Sequence, residues 1–208
     1  QLAAKGFKTG AVNLAQAQDV PDNLSVLVIA GPRVDLLPGE VNRIRRWVEK
    51  GGNLLWMIDQ GSLRGLQALA DDLGLNLLAG TAVDPRASGL KLPAAFALTS
   101  GYGEHPITAN STVTSVFPHA RQIGASEGSK WHFTPLVEVA QSGWLETSGI
   151  DSNVAFDPNR DVRGPIVVAA ALERNVGDRR QRVVIAGTGQ FLANQYVGML
   201  GNLDLGVN

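Results

Sequence analysis

The sequence predicts an α/β fold in which a mostly parallel sheet carries helices on both faces. Two apolar runs, residues 26–30 and 53–58, are typical of strands that are buried on both faces. A helical pattern over residues 38–52 lies between them. Because strand, helix and strand are joined by short connections, we expect a right-handed parallel unit.

The first helix is predicted to begin at Pro38, which suits a first turn because its missing N–H would have no partner there. Glu40 complements the positive end of the helix dipole. Gly51 and Gly52 indicate its end. Its apolar face is formed by residues spaced three or four apart, namely Leu37, Val41, Ile44 and Val48.

The remaining elements follow from similar patterns. A second helix is predicted by the spacing of Leu63, Leu66, Leu69 and Leu73. Residues 79–160 are richer in Gly, Ser, Thr and Pro, so we expect an antiparallel or loop-rich insertion within a single domain over residues 1–208.

The α/β pattern returns after the insertion. Two apolar strands are predicted over residues 166–172 and 182–186, on either side of a polar turn over residues 175–178. After Gly187-Thr188-Gly189 we expect a helix whose shared face contains Leu192, Tyr196 and Met199.

Composition excludes several classes of protein. The chain has 208 residues, with 18 Lys and Arg against 19 Asp and Glu, and this balance gives no basic surface for nucleic acid. With no Cys, disulfides, thiolate metal sites and a Cys nucleophile are excluded. No apolar run approaches the length of a membrane span. Because the chain starts at Gln1 and stops at Asn208, we expect it to be a piece of a longer protein.

Three motifs resemble catalytic or metal sites, but each lacks some of the residues or the spacing that such a site requires. Residues 124–128 match G-x-S-x-G, but that motif needs a helix after Ser126, and its triad partners should follow in the order acid, then His. No His occurs after His132. Residues 157–161 resemble the start of a calcium loop that lacks its Gly and Glu, so we expect an Asx turn. The three histidines lack the spacing of zinc ligands. The sequence therefore indicates no catalytic residues, no metal and no cofactor.

The candidate ligand site lies at the carboxyl ends of the strands, where open parallel sheets bind their ligands. Asp59 follows the second strand, and Arg33 follows the first, so we expect the two to approach each other. Thr188, Gln190 and Asn194 follow the last strand and complete the predicted crevice. Alternatively, Asp59 caps the next helix or binds loop amides, and the glycines at 187 and 189 only form a tight turn.

Four segments carry a family resemblance: residues 26–55, 105–110, 117–121 and 182–205. Together they resemble the auxiliary component of an uncharacterised ABC-type transport system, in the family linked to gliding motility. The resemblance implies an extracytoplasmic domain, on the periplasmic face of the bacterial inner membrane, anchored by membrane segments outside this chain. It also implies permease and ATPase subunits as partners.

The resemblance further implies a flavodoxin-like fold similar to class I glutamine amidotransferases. The turn that holds the nucleophilic Cys of those enzymes corresponds to Asp59-Gln60-Gly61, so amidotransferase chemistry is excluded by the missing thiol. We therefore expect a non-enzymatic interaction or binding domain. Two alternatives stay open, a sensor of small molecules or glycans that uses the crevice, and a hydrolase that uses Asp59 without a partner His.

Overall fold

The computed structural model describes residues 6–151 and 154–207, so Gln1 and Asn208 lie outside the described residues. The α-helices within these ranges are α1 (Pro38–Glu49), α2 (Gln67–Asp72) and α3 (Asn202–Val207), and 3-10 helices span Pro85–Leu90 and Gln190–Leu192. The strands are β1 (Leu27–Ala30), β2 (Leu54–Met57), β3 (Leu75–Asn76), β4 (Thr81–Val83), β5 (Phe96–Tyr102), β6 (Val116–Pro118), β7 (Gly124–Ala125), β8 (His132–Val139), β9 (Trp144–Glu146), β10 (Val162–Arg163), β11 (Ile166–Val176) and β12 (Arg179–Ala186).

The main sheet is a curled, mixed sheet of seven strands in the order β1-β2-β12-β11-β8-β5-β6. Strands β1, β2 and β12 run parallel, whereas every pairing from β12 to β6 is antiparallel. In the described residues, β10-β9-β4 and β3-β7 form two smaller sheets. The four predicted apolar strands are thus neighbours in one sheet.

The predicted flavodoxin-like, mostly parallel sheet with helices on both faces is wrong. The reason is visible between β11 and β12, which are joined by only Gly177 and Asp178. A turn of two residues joins antiparallel strands, because a parallel pair needs a crossover of a dozen or more residues. The apolar character of β11 reports its burial and not its direction.

Helices α1 and α2 both pack on the same face of the main sheet. Val41, Ile44 and Trp47 of α1 join Leu69 of α2 in a core with the sheet residue Trp56. At the start of α1, the Glu40 carboxylate accepts a hydrogen bond from the Leu37 N–H. Gly51 follows the helix with a φ of +93°, a conformation that glycine adopts without strain.

The second face of the sheet is covered by other means. Leu145 from the β10-β9-β4 sheet, Phe117 and Phe191 pack over the antiparallel strands, and the six-residue α3 contributes Leu205. The helix predicted through Leu192, Tyr196 and Met199 does not form, because Ala193 is extended and ends the 3-10 helix. No helix in the described ranges has the length and apolar character that a membrane crossing requires.

Candidate functional site

Asp59 follows β2 and ties together three strand ends. Its carboxylate Oδ1 accepts a hydrogen bond of 3.0 Å from the backbone N–H of Gly189, which lies beyond β12. Gly31, just after β1, lies so close to this carboxylate that a Cβ there would be 2.1 Å from Asp59 Oδ2. The structure thus shows the alternative in which Asp59 binds a loop amide.

Arg33 and Asp59 line the same small cavity, with a volume of about 190 Å³. The Arg33 side chain is exposed, and no ion pair within 4 Å joins it to Asp59 in the described chain. Arg64, which also lines this cavity, lies 3.7 Å from Asp35. The predicted pair therefore shares a cavity without the predicted contact.

The other predicted residues have different roles at this edge. Thr188 is fully buried, and its hydroxyl oxygen accepts a 3.1 Å hydrogen bond from the Gln190 N–H, which stabilises the turn after β12. Asn194 is exposed beyond the 3-10 helix. The described residues that line the cavity beside Asp59 do not include Thr188, Gln190 or Asn194. Their role in ligand binding stays a prediction.

Arg121 is the residue at this edge that sequence reasoning missed. Its backbone N–H donates to the Gly187 carbonyl at 2.9 Å, so the segment before β7 crosses the end of β12. Its guanidinium donates long hydrogen bonds to the carbonyls of Asp59 (3.5 Å) and Gly61 (3.4 Å). The one feature of the sequence that could have pointed to Arg121 is its place in the 117–121 segment, which carries part of the family resemblance.

The electrostatic state of Arg121 is unusual because only 6% of its surface is exposed. Burial lowers the pKa of its guanidinium, although arginine stays protonated in proteins. Its Nε has no hydrogen-bond partner in the described structure. The side chain is therefore a buried cation with incomplete hydrogen bonding.

Arg121 lines a second and larger cavity of about 470 Å³, next to the one that contains Arg33. The two cavities share Ser62 and Leu63. The rest of the lining consists of polar and leucine side chains with one glycine, namely Gln67, Asn76, Leu75, Leu77 and Gly61.

The motifs that resemble other sites are turns. Ser126 lies between β7 and β8, where a nucleophile elbow would need a helix to follow. The Asp157 carboxylate accepts from the Asn159 N–H at 2.9 Å, which is an Asx turn. No group of three or more His, Asp or Glu side chains in residues 6–151 and 154–207 is arranged to hold a metal ion.

The fold has a counterpart among solved structures. The structure titled "mmIFT52 N-terminal domain" superposes with a TM-score of 0.67, at 13% sequence identity, over 89% of this chain and 75% of that one. At this identity the likeness concerns the fold alone. No curated protein sequence matches the chain.

The relationship that identifies the chain comes from its sequence. A family described as "ABC-type uncharacterized transport system" has a sequence model that matches residues 1–208. The match spans the whole chain, including the segments around β1, Arg121 and β12. The chain belongs to this family of auxiliary components of ABC-type transport systems.

Proposed function

We propose that the domain is a non-enzymatic interaction module, which binds a protein partner within an ABC-type transport assembly through an open face of its main sheet. The open face consists of Val26, Val28, Leu55 and Val184. It lies on the face of the main sheet opposite α1 and α2, in the part that α3 and the β10-β9-β4 sheet leave accessible. This row of accessible apolar side chains is the observation on which the proposal rests.

The register of the parallel strands places these side chains side by side. Val28 pairs with Leu55, and Leu55 pairs with Val184, so the three form one row across β1, β2 and β12. Their neighbours Ile29, Trp56 and Ile185 point to the opposite face, where α1 and α2 cover them. The open face is thus the solvent side of strands whose other side is core.

The accessible area is apolar and partly concave. Val28 is 50% exposed and Val26 is 43% exposed. Next to them, Leu55 and Val184 help to line a cavity of about 300 Å³, together with Phe191 and Leu205. Contiguous apolar surface of this kind is typical of the centre of a protein interface.

Family membership supports the choice of partner. An auxiliary component works with the subunits of its transporter, so we propose the permease as the direct partner and the ATPase as an indirect one. We further propose that the domain lies on the extracytoplasmic, periplasmic side of the bacterial inner membrane, as the resemblance implies. The association with gliding motility stays a prediction.

The test is co-purification of the full-length parent protein with the permease from membranes. Val28→Asp places a charge on the most exposed residue of the open face, and we expect it to reduce recovery of the permease about tenfold, the equivalent of 1.4 kcal/mol. Val113→Asp is the matched control, because Val113 is 52% exposed, about as much as Val28, and is not part of the open face. Equal recovery with both variants would contradict the proposal.

The proposal that the domain is not an enzyme rests on the geometry around its two candidate nucleophiles. Ser126 precedes a strand, and the Asp59 carboxylate is bonded to Gly189. We expect no turnover of ester, glutamine or phosphate-ester substrates. Turnover that disappears in Asp59→Asn or Ser126→Ala would contradict this proposal.

A further inference from the structure

We propose that Arg121 and its cavity bind a small oxyanion ligand, one that carries a carboxylate or phosphate group. This inference is independent of the open face, because none of the open-face residues lines the Arg121 cavity. It also differs from the predicted crevice, whose cation was the exposed Arg33.

A buried cation normally has an anionic partner, since the loss of hydration is otherwise uncompensated. The same cost applies to a buried anion, and the buried Asp84 carboxylate has a cation, Arg86, at 2.7 Å. No carboxylate within the described ranges lies in ion-pair distance of Arg121, and Asp59 offers it only a backbone carbonyl. Arg121 therefore lacks the partner that its burial calls for.

The hydrogen bonds of Arg121 leave room for a ligand. Guanidinium has five N–H donors, and the two contacts with the carbonyls of Asp59 and Gly61 are 3.4 Å or longer, close to the limit for a hydrogen bond. The Nε–H has no acceptor among the described residues. A bidentate oxyanion in the cavity would give the two Nη groups the short, charge-assisted bonds that these carbonyl contacts do not provide.

The cavity has the size and lining for such a ligand. Its volume of about 470 Å³ lies within the range of small-molecule sites. Arg121 is the buried charged member of the lining, whereas Ser62, Gln67 and Asn76 are exposed and offer further hydrogen bonds. Leu75 and Leu77 add apolar surface for a short carbon chain. Carboxylates and phosphates can both accept two parallel hydrogen bonds from the planar guanidinium group of an arginine.

The experiment is an NMR titration of the whole domain, which follows the side-chain Nε–H signal of Arg121. The signal is assigned by its disappearance in Arg121→Lys. Sodium succinate and sodium phosphate are added separately at constant ionic strength, so the two arms distinguish a carboxylate from a phosphate ligand. We expect a saturable shift with at least one of them, with a dissociation constant in the millimolar range or below.

A second variant keeps the proposal testable if changes at Arg121 affect folding. Asn76→Asp is nearly isosteric and places a negative charge in the cavity lining, so we expect it to weaken binding at least about tenfold. Asn110→Asp makes the same change at an exposed position outside the cavity, and we expect no effect. A linear, unsaturable response to both anions would overturn the proposal, as would equal affinities for Asn76→Asp and Asn110→Asp.

Discussion

The Asp59 carboxylate and the Gly189 N–H are 130 residues apart in sequence and 3.0 Å apart in space. This hydrogen bond joins the end of β2 to the turn after β12, and Gly31 brings the end of β1 against the same carboxylate. The edge of the sheet where ligands were predicted to bind is therefore fixed by a side chain of the protein itself. Gly31 and Asp59 both line the smaller of the two cavities at this edge.

The first prediction concerns Gly31, which has a φ of +49° and no room for a Cβ. We expect Gly31→Ala to lower the free energy of unfolding by about 2–4 kcal/mol, from overpacking against Asp59 together with the strained backbone. Urea denaturation measures this change.

Gly177→Ala is the control for the backbone contribution. Gly177 has a similar φ of +58° but no neighbour within 4 Å of a new Cβ. We expect it to cost only about 1–2 kcal/mol, the price of the left-handed conformation. A loss at Gly31 no larger than the loss at Gly177 would show that the contact with Asp59 is unimportant.

The second prediction separates the hydrogen bond of Asp59 from its charge. Asp59→Ala leaves the Gly189 N–H without its acceptor, and we expect a loss of about 1–3 kcal/mol in the free energy of unfolding. Asp59→Asn retains an oxygen at the same place, so we expect a loss below about 1 kcal/mol. Thermal and urea denaturation compare the variants, and equal losses would mean that the negative charge itself stabilises this edge.

The strands and the first helix could be predicted because their signals are local. The apolar runs at β1, β2 and β12, and the spacing of Val41, Ile44 and Val48 in α1, depend only on neighbouring residues. Strand direction is different, because an apolar run is the same for a parallel and an antiparallel neighbour. The two-residue connection after Val176 contained that information, and the length of the turn was the signal to use.

For the candidate site too, the features with local signals could be predicted and those that depend on tertiary contacts could not. The position of Asp59 at a strand end could be inferred from the pattern, and so could its possible bond to a loop amide. The burial of Arg121 could not be inferred from the pattern. The segment that contains it crosses the edge of the sheet through backbone hydrogen bonds to Gly187 and Val167, which are distant in sequence. Only tertiary packing shows that this arginine has no anionic partner within residues 6–151 and 154–207.

The third prediction concerns acid. Burial alone would raise the pKa of the Asp84 carboxyl, but hydrogen bonds from the Arg86 side chain and from the N–H groups of Leu98 and Arg86 outweigh it and lower that pKa. Stability from a lowered pKa is present above the ordinary value near 3.8 and is lost as the pH falls through the lower, folded-state value. We expect the free energy of unfolding to fall below about pH 4.

Asp84→Asn tests the assignment. We expect it to lower the free energy of unfolding at pH 7 by about 2–3 kcal/mol and to flatten the decline in acid, since a charged acceptor of several hydrogen bonds is lost. Asp22→Asn, at an exposed position, serves as the control. If the Asp84 variant keeps the full acid dependence, other carboxyls are responsible, and Glu146 and Asp161, whose pKa values are also lowered, are the next candidates.

The fourth prediction concerns Asn202, which is fully buried at the start of α3. Its Oδ1 accepts from the Val116 N–H at 2.7 Å, and the two N–H groups of its Nδ2 are shared among the carbonyls of Val116, Phe191 and Tyr196 at 3.0–3.1 Å. One side chain thus fastens α3 to β6 and to the segment after β12. Aspartate has the same shape but no N–H donors, so its carboxylate would face these three carbonyl oxygens.

We therefore expect Asn202→Asp to lower the free energy of unfolding at pH 7 by about 3–5 kcal/mol, because it buries an unpaired charge among acceptors. Asn110→Asp makes the same chemical change at an exposed position, and we expect it to stay within about 0.5 kcal/mol of the original protein. Urea denaturation with a shared slope m compares the two. A loss below about 1 kcal/mol for Asn202→Asp would mean that α3 rearranges and that the four hydrogen bonds do not hold it in place.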